Sequence, residues 1–273
     1  MDRFADLHIH TNFSDSTYAP KDVVLEADRI GLACVAITDH DTIDGIEPAR
    51  DAAQDMLLEV IPGVELSCEQ QGRDIHILGY FFDIHDATFN EQLAKFRNTR
   101  VERVKKIIQK LRDQGVDNIT FDEVSDLASS DALGRPHLAQ LLIDKGWVAD
   151  IRQAFNKYLG ENCPAYVPKF KQSPYEAIHL IRQAKGIAVL AHPMITNVDE
   201  LIPSFVDAGL DGLEIYYPNA SKAVVQFYEG IAQKYHLVTT GGSDAHGEDR
   251  SHARIGDIMV PYQCVEDMKK RLQ

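Results

Sequence analysis

The sequence predicts an α/β fold, a barrel of strands and helices interrupted by a helical insertion. Three observations predict it. Short apolar runs alternate with amphipathic helical patterns toward both ends of the 273-residue chain, as expected of a parallel sheet, closed or open, with helices outside it. The middle of the chain drops that alternation for helical periodicity alone. Histidines and acids gather at the ends of the strand patterns, where barrels of this kind carry their sites.

In order, residues 4–10 read as a strand, 20–30 as a helix and 33–38 as a buried strand. A helix at 46–56 and a strand at 59–66 follow, and then an apolar run at 74–82. From there the pattern is helical through 89–112, 121–127, 135–145 and 151–158. Alternation returns with a helix at 174–184, a strand at 187–191, a helix at 201–208, a strand at 212–215, a helix at 222–235 and a strand at 237–241. The expected division is a barrel made of 1–87 and 165–273, with 88–164 as an insertion that caps the substrate. No repeat of fixed period and no low-complexity segment is present.

Composition sets the outer bounds. With 44% hydrophobic and 26% charged residues the chain has the make-up of a globular protein. No apolar run approaches the ~20 residues that span a bilayer, so no membrane role is expected. The start of the chain lacks a basic segment followed by an apolar stretch and a small-residue cleavage site, so a cytoplasmic location is expected. Cys34, Cys68, Cys163 and Cys264 form neither a disulfide framework nor a thiolate metal site by spacing. A net charge of −14 argues against a stable complex with nucleic acid through a broad basic surface. It leaves room for a small anionic substrate, because cations would offset any metal-binding carboxylates among the acids.

Six of the eleven histidines carry the chemical signal: His8, His10, His40, His76, His192 and His246 fall at or just past strand ends. Asp15, Asp39, Glu65 and Asp244 share those ends. His8 and His10 lie two apart on one strand pattern, so both face one side, the expected barrel interior. Imidazole and carboxylate without thiolate suit Zn, Mn or Fe, and so many ligands in one place imply more than one ion. A single interior histidine is often no more than a satisfied core residue; six from separate segments, with acids beside them, are not.

The segments His8-Ile9-His10-Thr11 with Ser14-Asp15, Thr38-Asp39-His40-Asp41-Thr42, Pro62-Gly63-Val64-Glu65, His76, Ala191-His192-Pro193 and Ser243-Asp244-Ala245-His246 resemble the PHP (polymerase and histidinol phosphatase) family. The resemblance implies a distorted seven-stranded (β/α) barrel with two to three divalent ions. By motif, His8, His10, Glu65 and Asp244 would hold one ion and Glu65, His76 and His192 a second, bridged by Glu65. Asp15, His40 and His246 would hold the third, and Asp39 would orient an imidazole from behind. Such a centre suits phosphate ester hydrolysis, because cations activate water and offset the charge that builds on the phosphoryl oxygens. His192 or His246 would assist the leaving oxygen, but as metal ligands they would be poor free acids, so water on the cations is an equally good proton donor. Ser16 and Ala245 depart from residues common in relatives at those places.

Within the insertion, Gly134-Arg135-Pro136-His137-Leu138-Ala139 and Tyr158-Leu159-Gly160 resemble the subgroup of nucleoside 3′,5′-bisphosphate phosphatases and RNA-end exonucleases. The resemblance implies that Arg135 and His137 hold a phosphate that is not cleaved, a task suited to the planar guanidinium fork. The plainer reading has Arg135 serving its own helix. At the strand end 214–219, Tyr216 or Tyr217 would stack on a base or simply pack, and Asn219 would contact substrate. The stretch 95–112 holds eight Lys or Arg and one acid, either a solvated helix face or a basic wall that draws phosphorylated substrates. His85, His179, His236 and His252 are expected on the surface.

The expected function is therefore hydrolysis of a nucleotide phosphate monoester, either a nucleoside 3′,5′-bisphosphate or a short 5′-phosphorylated RNA or DNA. Histidinol-phosphate phosphatase, or another small-molecule phosphatase, is a second enzyme reading, a metal-dependent amidohydrolase a third, and a metal-binding structural module the non-enzymatic one.

Overall fold

The computed structural model describes residues 3–127, 134–168, 172–247 and 253–273. Along the chain run β1 (Phe4–Ile9), α1 (Pro20–Arg29), β2 (Cys34–Ile37), α2 (Ile46–Ala52), β3 (Glu59–Gln70), β4 (Arg73–Tyr80) and α3 (Ala87–Asp113). There follow α4 (Phe121–Leu127), α5 (Arg135–Asp144), α6 (Ile151–Ala154), which runs into a wide turn at Phe155–Leu159, and α7 (Pro174–Gln183). The last third contains β5 (Ile187–Leu190), α8 (Pro193–Thr196), α9 (Ile202–Asp207), β6 (Gly212–Tyr216), α10 (Lys222–Tyr235), β7 (Val238–Gly241), β8 (Val260–Pro261) and α11 (Gln263–Arg271). Contacts divide the chain into two compact units, residues 1–91 with 171–273, and residues 92–170.

The first unit is an α/β barrel. Its sheet runs in the order β7-β6-β5-β4-β3-β2-β1-β8. Strands β2 and β5 read Cys-Val-Ala-Ile and Ile-Ala-Val-Leu, buried throughout, as strands covered on both faces must be. The helices between them start on sequence signals: α7 opens with a reciprocal cap between Ser173 and Glu176 and proline in its first turn. The chain beyond β7 closes the ring, for Asp244 N–H donates to His8 O at 2.8 Å and His10 N–H to Ala245 O at 3.1 Å. Gly242 makes this closure possible, because a side chain there would collide with the main-chain nitrogen of His8.

Two departures from simple parallel alternation matter for function. First, β3 and β4 form an antiparallel hairpin, and β4 is also antiparallel to β5. The turn is Gln71-Gly72, both at positive φ, a two-residue connection that matches strand twist. β3 is accordingly longer than the expected 59–66. Second, the pairing of β1 with β2 slips by one residue between Asp6 and Ile9. Ala5 and Leu7 therefore pack in the interior cluster with Ala36, Ile61, Leu78, Tyr80 and Val189, while His8 and His10 also turn inward above them. Strand bulges re-aim side chains in this way beside active sites. From α11, which the periodicity analysis does not predict, Cys264, Val265 and Met268 join the same interior cluster.

The second unit is helical. Val104, Ile107, Ile108 and Leu111 of α3 pack with Val116, Ile119, Leu138, Leu142 and Leu159, which is the apolar face read from the sequence. Among the basic residues of α3, Lys105 pairs with Glu102, and Arg103 and Lys110 donate to the carbonyls of Val167 and Tyr166.

Replacing Gly242 by alanine forces the closing segment off β1. An overpacked site against rigid backbone costs about 3 kcal/mol, so chemical denaturation of Gly242→Ala should show that loss relative to the unaltered protein; equal stability would mean that the ring is not closed by this contact.

Candidate metal centre

The candidate ligands read from the sequence come together in the first unit. Glu65, with 1% of its side chain exposed, lies at the centre. Its Oε2 is 3.3 Å from His8 Nε2, 3.2 Å from His10 Nε2 and 3.1 Å from His40 Nδ1. Its Oε1 is 2.6 Å from His76 Nδ1 and 3.1 Å from His192 Nε2. On the far side Asp244 Oδ1 is 3.3 Å from His8 Nε2 and 3.0 Å from His10 Nε2, and Asp15 Oδ1 is 3.1 Å from His246 Nε2. Three sets have ligand atoms within 4.8 Å of one another: His8, His10, Glu65, Asp244; His10, Asp15, His40, His246; and His40, Glu65, His76.

The local backbone explains why these residues converge. His76 does not sit past a strand end as the sequence reading had it. It lies in the first half of β4, and reaches the site because that strand runs backwards, placing its start beside the ends of its neighbours. His192 and Asp244 hold positive φ, 28° and 52°, a conformation that costs non-glycine residues free energy and gathers at functional sites.

Six polar atoms of this cluster are buried and outside any hydrogen bond: His8 Nε2, His10 Nε2, His40 Nδ1, His192 Nδ1, Glu65 Oε2 and Asp244 Oδ1. Native interiors rarely leave such groups unsatisfied, and nitrogens and carboxylate oxygens aimed at common points are what divalent cations bind. The residues fit metal. Their electrostatics agree. Burial opposes charge on every one, but Asp244 and Glu65 push His10 up to about 10, and Glu214, Asp244 and Glu65 raise His8 well above the ordinary imidazole range. Burial takes His40 down to about 3. Despite burial, the surrounding imidazoles hold Glu65 well below the usual carboxylate range. Protons and divalent ions thus compete for the same ring nitrogens.

Asp39 needs a correction. Its carboxylate takes the Thr11 N–H at 2.7 Å, the Thr11 hydroxyl at 2.6 Å and the Ser14 hydroxyl at 2.5 Å. Among the described residues it bonds no imidazole, and Ser14 Oγ stands between it and His10, 3.5 Å from Nδ1. Its task is to lock the loop between His10 and Asp15. The carboxylate that does orient an imidazole is Glu214, which periodicity leaves as one more strand residue. Fully buried, Glu214 accepts from His8 Nδ1 at 2.9 Å and from the His192 main-chain N–H at 2.9 Å. The signal available in the sequence was an acid inside the apolar strand Gly-Leu-Glu-Ile-Tyr, since acids are seldom buried without a partner.

Asn219 is exposed on the turn between β6 and α10. Tyr216 packs against the barrel cluster and donates to Glu229, which is the packing reading, whereas the Tyr217 hydroxyl meets Asp244. In the second unit, the Arg135 guanidinium donates to Leu159 O at 3.2 Å and lies 5.4 and 5.6 Å from the Phe155 and Tyr166 rings. His137 Nδ1 accepts the Gly134 N–H at 3.2 Å. His85, His179 and His236 are exposed, and His252 lies outside the described residues.

A barrel mouth lined by linked imidazole and carboxylate clusters defines a metal-dependent phosphoesterase. Residues 6–248 match the PHP domain, and the chain belongs to the PHP family. A 5′-3′ exoribonuclease of Haemophilus influenzae is 35% identical over 90% of this chain and 91% of its own length. A 3′,5′-nucleoside bisphosphate phosphatase of Chromobacterium violaceum is 30% identical over 92% and 90%. Among solved structures, one described as a metal-dependent phosphoesterase from Bifidobacterium adolescentis superposes with a TM-score of 0.84 at 29% identity, covering 98% of this chain and 96% of that one. Among the described residues, no helix is long and apolar enough to cross a membrane.

Glu214 accepts from two donors with two oxygens, and glutamine offers only one acceptor. Glu214→Gln should therefore lower Mn²⁺ affinity by about 10- to 100-fold in competition with a chelator; unchanged affinity would show that neither hydrogen bond positions a ligand.

Proposed function

We propose that the chain hydrolyses a nucleotide phosphate monoester, foremost a nucleoside 3′,5′-bisphosphate, using two to three Mn, Zn or Fe ions. The ligand sets are those named by motif: His8, His10, Glu65 and Asp244; Glu65, His76 and His192; and Asp15, His40 and His246. His10 belongs geometrically to two of the clusters, so it stands beside Glu65 as a link between sites. Bound divalent ions supply Lewis acidity, which makes water nucleophilic near neutral pH and offsets charge on the phosphoryl oxygens. The protein's part is to hold the ligand atoms in place before substrate arrives: Glu214 fixes His8 and the main chain of His192, and Asp39 fixes the loop that leads to Asp15.

The observation that carries the substrate class is Arg135. It opens α5, where the helix dipole disfavours a cation, and it has no carboxylate partner among the described residues. Aromatic rings flank it. An arginine so placed suits a phosphate it does not cleave, with a ring close by. His137, expected to act beside it, accepts the Gly134 N–H through Nδ1. We assign the helical unit to substrate binding on this basis, with Asn219 as a further candidate contact. The similarity to the exoribonuclease of Haemophilus influenzae favours short 5′-phosphorylated RNA as the second substrate. A panel of 3′,5′-bisphosphoadenosine, histidinol phosphate and a short 5′-phosphorylated RNA, read by phosphate release and product length, separates the readings.

Two outcomes are expected. Elemental analysis after reconstitution with Mn²⁺ or Zn²⁺ should find two to three ions per chain, and a value below one would rule out the shared centre. For Arg135→Ala, kcat/KM on the bisphosphate should fall by about 10²-fold, the order expected for losing a desolvated charge pair. An aryl phosphate, which carries only the reacting group, should be nearly unaffected. Equal losses on both would place Arg135 at the reacting phosphate or in the fold.

A further inference from the structure

The two oxygens of Asp244 have different surroundings. Oδ1 faces the His8 and His10 nitrogens and lies outside any hydrogen bond. Oδ2 accepts the Tyr217 hydroxyl at 2.7 Å. We propose that Tyr217 is a positioning residue of the metal centre, which commits Asp244 to bind an ion through Oδ1 alone. This rests on the reading of Asp244 as a ligand.

The backbone aims the Asp244 side chain but does not choose between its oxygens. Asp244 sits at φ 52° with its N–H on His8 O, which fixes the direction of the Cα–Cβ bond. The terminal torsion of aspartate remains broad and nearly two-fold. Left to that torsion, either oxygen, or both, would face the ion. A phenol on one of them breaks the symmetry. Tyr217 is itself braced, for its ring meets His192 edge-on, with centroids 5.4 Å apart and planes at 61°.

The strand explains how a tyrosine comes to stand there. Pairing of β6 with β7 slips by one residue between Glu214 and Tyr216. Glu214 therefore faces His8 from within the barrel, Tyr216 packs with the barrel core, and Tyr217 turns toward Asp244. One short segment thus supports three ligands: His8 and His192 through Glu214, and Asp244 through Tyr217. A carboxylate held to one oxygen occupies one coordination position, which keeps room for substrate at a catalytic ion.

The test compares Tyr217→Phe, Asp244→Ala and the double variant by Mn²⁺ competition with a chromogenic chelator, together with thermal unfolding of the metal-free proteins. Tyr217→Phe should weaken Mn²⁺ binding by about 10- to 100-fold while the metal-free melting temperature stays within about 2 °C. In the Asp244→Ala background the same change should cause no further loss, because the hydroxyl acts through that carboxylate. Affinity unchanged by Tyr217→Phe, an equal loss with and without Asp244, or a loss matched by collapse of metal-free stability would each overturn the proposal. If Asp244→Ala alone binds Mn²⁺ as tightly as the unaltered protein, it is the ligand assignment that fails, and the proposal falls with it.

Discussion

Glu65 faces five imidazoles from a position with 1% of its side chain exposed. A carboxylate taken that far from water costs several kcal/mol unless positive charge compensates it, and imidazoles supply that charge only when protonated. The carboxylates around His8 and His10 raise both imidazoles above their ordinary range. Divalent cations remove the conflict by offering the charge that carboxylate and neutral ring nitrogens both require. The rest of the barrel mouth is arranged around that requirement.

The structural irregularities near the site bring candidate ligands to Glu65 or its neighbours. The slip in β1 turns His8 and His10 inward above the apolar interior, the reversed β4 presents His76, and positive φ at His192 and Asp244 bends two loops over the centre. A second rank of acids then fixes the first: Glu214 behind His8 and His192, Asp39 behind Thr11 and Ser14. Asp6 does the same for the fold, accepting main-chain N–H groups of Ser243 and Gly256 and so tying β1 to the segment that closes the ring. Regular strands alone would give a barrel without a site.

What the sequence made legible follows from which signals are local. Alternation of apolar runs with helical periods identifies the barrel and the helical unit, because each element announces its own period. The candidate ligands were legible because histidine and acid at strand ends have few other uses in such numbers. The reversal of β4 was less visible: its signal is the Gln71-Gly72 turn, two residues long, whereas the apolar run of the strand reads the same in either direction. The role of Glu214 was invisible to periodicity, since its partner His8 is 206 residues away. Asp39 was placed correctly beside the centre yet given the wrong partner, because hydroxyls of Thr11 and Ser14 compete for the same carboxylate and only three-dimensional geometry decides among them. Helix α11 escaped because the strand before it, β8, is only two residues long and announces no period.

The central claim is that one carboxylate links the ion sites, and replacing it tests that claim most directly. Glu65→Gln keeps the side-chain volume and removes the charge that the shared sites need. Metal content by elemental analysis after Mn²⁺ reconstitution should fall from two to three ions per chain to at most one, the remaining site being that of Asp15, His40 and His246. A variant that folds and retains the full complement of ions would contradict the account, because the histidines would then organise the centre without Glu65.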